Sequence, residues 1–200
     1  MRDVERALRA ARSRGLPPGA IDRLVERALD EVGGVVAYAE VESPFGPLLV
    51  AATDRGLVRL AYPGEEDVAQ ELADRLTPRL LEAPGRLEGV RRELGEYFEG
   101  RRRAFDVPVD WTLVRGAFAR RVLRATARIP FGATRTYTEV ARRAGSPRAS
   151  RAAGNALGSN PIPIVVPCHR VIHAGGGLGG YTGGLDRKER LLRIEGALAG

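Results

Sequence analysis

Three prolines within seven residues, Pro161, Pro163 and Pro167, constrain this chain more than any other feature. Proline fixes φ, lacks an N–H and pushes the residue before it out of the α region. The segment from Asn160 to Pro167 is therefore predicted to be stiff and extended rather than helical. Inside the brackets runs Ile162-Pro163-Ile164-Val165-Val166, and it leads into Cys168-His169-Arg170. Cys168 is the only cysteine of the 200 residues, and His169 is one of two histidines. A thiol on rigid backbone beside an imidazole has the form of a positioned nucleophile. It equally has the form of a small buried hydrophobe in a strand. The segment's own residues do not choose between the two.

Two hundred residues allow one large domain or two small ones, and 44% hydrophobic with 28% charged is an ordinary globular composition. No apolar run approaches the ~20 residues that cross a bilayer. Met1 to Arg14 alternates charge with alanine and leucine and lacks the apolar stretch of a signal peptide. A cytoplasmic protein without membrane contact is expected. One cysteine forms no internal disulfide, and no Cys/His pair has zinc spacing, so no metal is expected. Charge is uneven: residues 1–115 hold 18 basic and 21 acidic side chains, residues 116–200 hold 14 and 4. The second part thus carries +10 and the first −3, an asymmetry that suits a polyanionic partner as well as a solvated basic face.

Residues 1–33 read as a helical extension of two amphipathic helices broken at Gly15 to Gly19. Residues 34–110 read as an α/β scaffold domain. Strands at 35–42, 48–52 and 57–62 are joined by the Ser43-Pro44-Phe45-Gly46 and Thr53-Asp54-Arg55-Gly56 turns into an antiparallel sheet, followed by helices at 66–76 and 87–98. This part holds no cluster of histidine, cysteine or paired carboxylates. Residues 111–200 read as mainly α. Phe118 to Arg128 forms one helix, with Phe118, Val122 and Leu123 inward. Thr136-Tyr137-Thr138-Glu139 is a capping box that opens a second. After Gly145-Ser146-Pro147 a third helix runs to about Gly158, giving the pattern of a helix-turn-helix. One face of that third helix is nearly bare, with Ala149, Ser150, Ala152 and Gly154 around the long side chain of Arg151. A final helix spans 186–195, with Asp186 at its N-cap position. Between the cysteine and that helix lies a glycine-rich loop, 174–184, that carries Tyr181.

Pro167-Cys168-His169-Arg170-Val171 resembles the active-site signature of the O6-alkylguanine-DNA alkyltransferases, the methylated-DNA–protein-cysteine methyltransferases. The likeness extends through Ile129-Pro130-Phe131-Gly132, Thr134-Arg135-Thr136-Tyr137, Arg151-Ala152-Ala153-Gly154 and Asn160-Pro161, and through Gly179-Gly180-Tyr181-Thr182-Gly183-Gly184-Leu185 and Glu195-Gly196, in the family's order. It covers 116–200 closely and 34–110 loosely.

The resemblance implies a ribonuclease H-like first domain and a winged-helix-like second one. It also implies irreversible transfer of an alkyl group from O6 of guanine, and from O4 of thymine, to the protein's own cysteine without any cofactor. Cys168 would be the acceptor, His169 the base acting through a water, and Glu195 its orienter; Asn160 would brace the turn and Tyr137 would assist the departing guanine. Pro163, Leu157, Tyr181, Thr182 and the Val171 carbonyl would line the base pocket, with Lys188 nearby. Arg151 would fill the gap left by the extruded nucleotide, and Arg135, Thr136, Ala149, Ala152 and Gly154 would lie along double-stranded DNA in its minor groove, bound by a monomer.

The chemistry agrees with those roles. Displacement at an alkyl carbon needs a thiolate, which an ordinary cysteine with a pKa of about 8.5 scarcely supplies at neutral pH. O6 lies within the base stack, so the nucleotide has to leave the duplex at a cost of a few kcal/mol. The alternative is a non-catalytic protein that binds alkylated DNA and signals to another repair pathway; the presence of Cys168, His169 and Glu195 argues against it. A cysteine hydrolase and a plain DNA-binding regulator leave more of these residues without a role.

Overall fold

A computed structural model describes residues 34–198, and the predicted extension at 1–33 lies outside the described residues. Strands β1 (Val36–Val41), β2 (Leu48–Thr53) and β3 (Gly56–Ala61) form the expected antiparallel meander. The sheet is nevertheless mixed. A short β4 (Leu80–Glu82) pairs parallel with β1, giving the order β3-β2-β1-β4, so the purely antiparallel reading is corrected. The signal was weak because three residues between Pro78 and Pro84 are too few to show a period. Helix α1 (Val68–Arg75) lies between β3 and β4, and α2 (Glu88–Phe98) follows a 3₁₀ turn at Pro84–Leu87.

The strands are apolar nearly throughout because both sheet faces are covered. Val36, Ala51, Val58 and Ala61 pack with Val68 and Leu72 of α1. Ala39, Val41, Leu48, Val50, Leu57 and Leu60 join Leu94 and Tyr97 of α2 in a core that continues into the second domain. Burying Leu48, Val50, Leu57 or Leu60 stabilises the fold by roughly 1.5–3 kcal/mol each.

The second domain contains α3 (Ala117–Thr126), β5 (Arg135–Thr136), α4 (Tyr137–Arg143), α5 (Ser150–Gly158), β6 (Val171–Ile172) and α6 (Leu185–Ile194). β5 and β6 form a two-stranded parallel pair. The capping box at α4 is present in full: Glu139 N–H donates to Thr136 Oγ1, and Thr136 N–H donates to the Glu139 carboxylate. Asp186 does not cap α6. Gly184 stands at the N-cap, and Asp186 sits one residue inside the first turn, where its charge still favours the positive helix end. Trp111 is half-buried against the core with the Arg124 guanidinium over its ring. No helix among the described residues is long and apolar enough to cross a membrane.

The outer edge of β3 is occupied along its length, and one bond there joins the two domains. Leu57 N–H donates to Pro108 O at 2.8 Å, and Asp110 N–H donates to Leu57 O at 2.9 Å, so the connecting segment runs along that edge. Further up, Leu60 N–H donates to Pro161 O at 2.9 Å, which anchors the proline-rich segment on the sheet. Gly56 makes the approach possible. Its φ is +129°, and a Cβ there would sit 2.3 Å from Pro108 O.

Gly56→Ala is expected to lower stability by about 2–4 kcal/mol, since left-handed strain and a backbone overlap add. Urea unfolding would show it as a reduced midpoint at unchanged slope, and an unchanged midpoint would refute the account.

Candidate active site

The proline-rich segment is not extended. Ile164 takes φ +72°, and the hydrogen bonds Val166 N–H to Ile162 O and Cys168 N–H to Val166 O fold residues 162–168 into consecutive turns. Prolines exclude the helix but do not forbid turns, and fully buried Ile162, Ile164 and Val166 hold this compact shape by burial. The segment ends in a single 3₁₀ turn, Cys168–Arg170, which places the thiol at the floor of a cleft.

Asn160 ties the turn to the thiol. Its Nδ2 donates to Val166 O at 2.8 Å and to Cys168 Sγ at 3.1 Å, while its Oδ1 accepts from Ile162 N–H. Burial pushes the Cys168 thiol up to about 11, against the opposing effects of Asn160 and Lys188. The thiol is therefore protonated at neutral pH and needs a base.

His169, the next residue, carries an imidazole. Its ring is fully buried, and Nε2 lies 2.9 Å from Glu195 Oε1. Glu195 accepts from Arg170 Nε and Nη2, both at 2.8 Å, from Tyr97 Oη–H at 2.6 Å and from Gly132 N–H at 3.3 Å. Burial alone would raise the Glu195 carboxyl, but the bonds from His169 and Arg170 outweigh it and hold the group at about 2. An ionised Glu195 accepts from Nε2–H and so fixes the tautomer whose lone pair is on Nδ1. Nδ1 is buried with no hydrogen-bond partner among the described residues. Burial lowers the imidazole below its ordinary range, which keeps that lone pair free.

The cleft holds about 690 Å³. Of the residues singled out in the sequence, Thr136, Tyr137, Arg151, Gly154, Leu157, Cys168, Tyr181 and Thr182 line it. Pro163 faces an adjoining cleft of about 220 Å³ behind the turn, together with Asn160. Val171 and Lys188 are buried beneath the site: Lys188 Nζ donates to Val171 O at 2.6 Å, and burial lowers the amine to about 8. Ala152 lies exposed on α5, Ala149 stands half-buried at its N-cap, and Arg135 is half-buried with Nη1 on Thr134 O. His169 and Glu195 lie buried behind the thiol. Gly179, at φ +70°, lets the loop cross Tyr137, whose hydroxyl would lie 2.6 Å from a Cβ there.

Several contributors carry no local sequence signal. Tyr97 reaches Glu195 from α2 across 98 residues. Tyr62, from the end of the meander, meets the Tyr181 hydroxyl at 2.8 Å, with Arg187 stacked 4.6 Å from its ring. Arg170 stands in the pentapeptide, but only the fold gives it Glu195. His173, the second histidine, lies against Tyr137 with ring centroids 5.1 Å apart and also lines the cleft.

Comparison with known proteins matches residues 36–111 to the ribonuclease-like domain of 6-O-methylguanine DNA methyltransferase and residues 117–197 to its DNA binding domain. The methylated-DNA–protein-cysteine methyltransferase of Mycolicibacterium paratuberculosis is 44% identical over 162 residues, covering 80% of this chain and 93% of that protein. The constitutive enzyme of that name from Bacillus subtilis is 37% identical, covering 79% and 94%. Among solved structures, Mycobacterium tuberculosis OGT in complex with DNA is similar with a TM-score of 0.70 and 41% identity, covering 80% of this chain and 93% of that one.

The Glu195 carboxyl lies below its ordinary value in the fold, so its contribution to stability is fully present above about pH 4.5 and is lost as pH falls towards 2. That contribution is at most about 3 kcal/mol. Glu195→Gln is expected to be less stable at pH 7 yet to lose less stability between pH about 4.5 and 2. Parallel acid-unfolding curves for the two proteins would contradict this.

Proposed function

The chain belongs to the 6-O-methylguanine DNA methyltransferase family, and from that membership we propose how its residues carry out direct-reversal DNA repair. It is a methylated-DNA–protein-cysteine methyltransferase that binds DNA and takes the alkyl group onto itself. Cys168 is the acceptor. The observation that carries this assignment is the buried line Glu195–His169–Cys168, which opens on a cleft bordered by Tyr137 and Arg151.

In the proposed reaction His169 Nδ1 takes the thiol proton through a water, and Glu195 stabilises the imidazolium that results. Sγ then attacks the alkyl carbon. The C–O6 bond breaks, the electron pair stays on the guanine oxygen, and a proton follows it. The new thioether is not turned over, so each molecule acts once. Asn160 holds the thiol against the cleft floor, and Tyr137 assists the departing base. Leu157, Tyr181 and Thr182 enclose the base, with Pro163 backing the turn and Lys188 fixing the Val171 carbonyl.

We read residues 34–110 and 111–200 as the two domains, the second winged-helix-like, with α4 and α5 as its helix-turn-helix. The narrow minor groove suits the low relief of α5, where Ala149, Ala152 and Gly154 let the backbone come close, with Thr136 and Arg135 alongside. Arg151 is exposed on that face, which supports reading it as the residue that stands in for the extruded nucleotide. In this reading the protein acts as a monomer in the cytoplasm. O4-alkylthymine is the second substrate in this reading.

Duplex DNA with a labelled O6-methyl group is expected to transfer label one-for-one to wild-type protein and none to Cys168→Ala. Label on the Cys168→Ala protein would sink the assignment. Arg151→Ala is expected to slow transfer from duplex by about tenfold or more, because extrusion costs a few kcal/mol, while transfer from the free alkylated base is kept. Equal losses on the two substrates would remove the extrusion role.

A further inference from the structure

Glu195 Oε1 accepts three hydrogen bonds: from His169 Nε2 at 2.9 Å, from Arg170 Nη2 at 2.8 Å and from the Tyr97 hydroxyl at 2.6 Å. The shortest comes from the first domain, which holds no other side chain bonded to the Glu195 carboxylate among the described residues. Tyr97 is fully buried on α2 and wedged between Phe98, Phe105 and Phe131, so its hydroxyl has one direction to point. A carboxylate oxygen has a limited amount of charge to share, and each donor takes part of it. A third donor on Oε1 therefore weakens the pull of Glu195 on the imidazole proton without breaking the His169 bond.

We propose that Tyr97 is a positioning residue for the catalytic base: its hydroxyl shares Glu195 Oε1 with His169 and so sets how readily the imidazole holds a second proton. The inference rests on the base role given to His169 above. The groups facing that imidazole are Glu195 at the end of α6, Arg170 and Cys168 on its own 3₁₀ turn, Lys188 on α6, and Tyr181 of the glycine loop, whose ring stands edge-on at 6.5 Å. Arg170 and Lys188 oppose protonation of His169, Glu195 favours it, and Tyr97 acts by moderating Glu195. The Tyr62 hydroxyl bonds that of Tyr181 instead. The arrangement makes the first domain part of the reaction and not only its support: the base is completed by a hydroxyl that the DNA-binding domain does not possess.

The test is the pH dependence of single-turnover label transfer from O6-methylguanine duplex DNA, run on full-length protein. Wild type should lose rate on the acid side as His169 becomes protonated, and His169→Gln should lack that limb. Tyr97→Phe keeps the ring and removes only the shared donor. Its acid limb is expected to move upward by about half to one pH unit, the size of one moderated hydrogen bond. In a Glu195→Gln background the same change should move nothing further. A merely structural role predicts a parallel loss of rate at every pH, and that outcome would overturn the proposal.

Should Tyr97→Phe fold poorly, 3,5-difluorotyrosine at position 97 retains the packing and donates more strongly, and the limb should then move downward. An unmoved limb in the fluorinated protein overturns the proposal equally. Wild-type protein that transfers no label to Cys168 would instead remove the reading on which the inference rests, and the two failures are thus distinct.

Discussion

One buried anion holds this protein's two domains and its chemistry in register. Glu195, just past the end of α6, is out of solvent, and a carboxylate there is tolerable only if its lone pairs are taken up. Its partners come from three separate places: Tyr97 on α2, Gly132 after α3, and His169 and Arg170 on the turn that carries the cysteine. The Arg170 contact is bidentate and extends through Nη1 to Ile129 O, so the same guanidinium also fastens the end of α3. Each donor takes up part of the charge on the buried carboxylate, so each of these elements contributes to holding it.

The sheet supplies the second restraint. An uncovered β3 edge would invite pairing with another chain, and here the connecting segment and the Pro161 carbonyl occupy it. The Arg59 guanidinium adds to this: it bridges Glu65 and Glu71 and lies within 3.4 Å of Pro161 O. Position passes from β3 to Pro161, from there to Asn160, and from Asn160 to Sγ. A thiol held this way keeps a fixed distance from the imidazole beside it even though adjacent residues in a chain rarely face one another. The price is a thiol raised to about 11, reactive only when its proton is taken.

Electrostatics divide between the interior and the surface. Inside, Glu195 is balanced by Arg170, and Lys188 is neutralised in part by its burial. Outside, the basic excess of the second domain remains in solvent, where it raises the local concentration of a polyanion without fixing its register. In the proposed reading, register falls to the low-relief face of α5 and to the cleft it borders.

By itself the sequence determined the elements whose signals are local. Alternation and turn residues located the β1–β3 meander, the Thr136–Glu139 box located the start of α4, and three-and-four spacing located α2, α3 and α6. Linked motifs also singled out Cys168, His169, Glu195 and Arg151 as candidates, because residue type and order survive in the chain regardless of shape. What tertiary structure alone decided has no period to read. β4 is too short for one, and its parallel pairing depends on where α1 returns the chain. The turns at 162–168 arise from burial of Ile162, Ile164 and Val166, which overrides the extended bias of the prolines. Tyr97 and Tyr62 reach the site from 98 and 119 residues away, through packing that no spacing records. Side chains that perform chemistry are marked by their type, whereas those that tune it are marked only by the neighbour they touch.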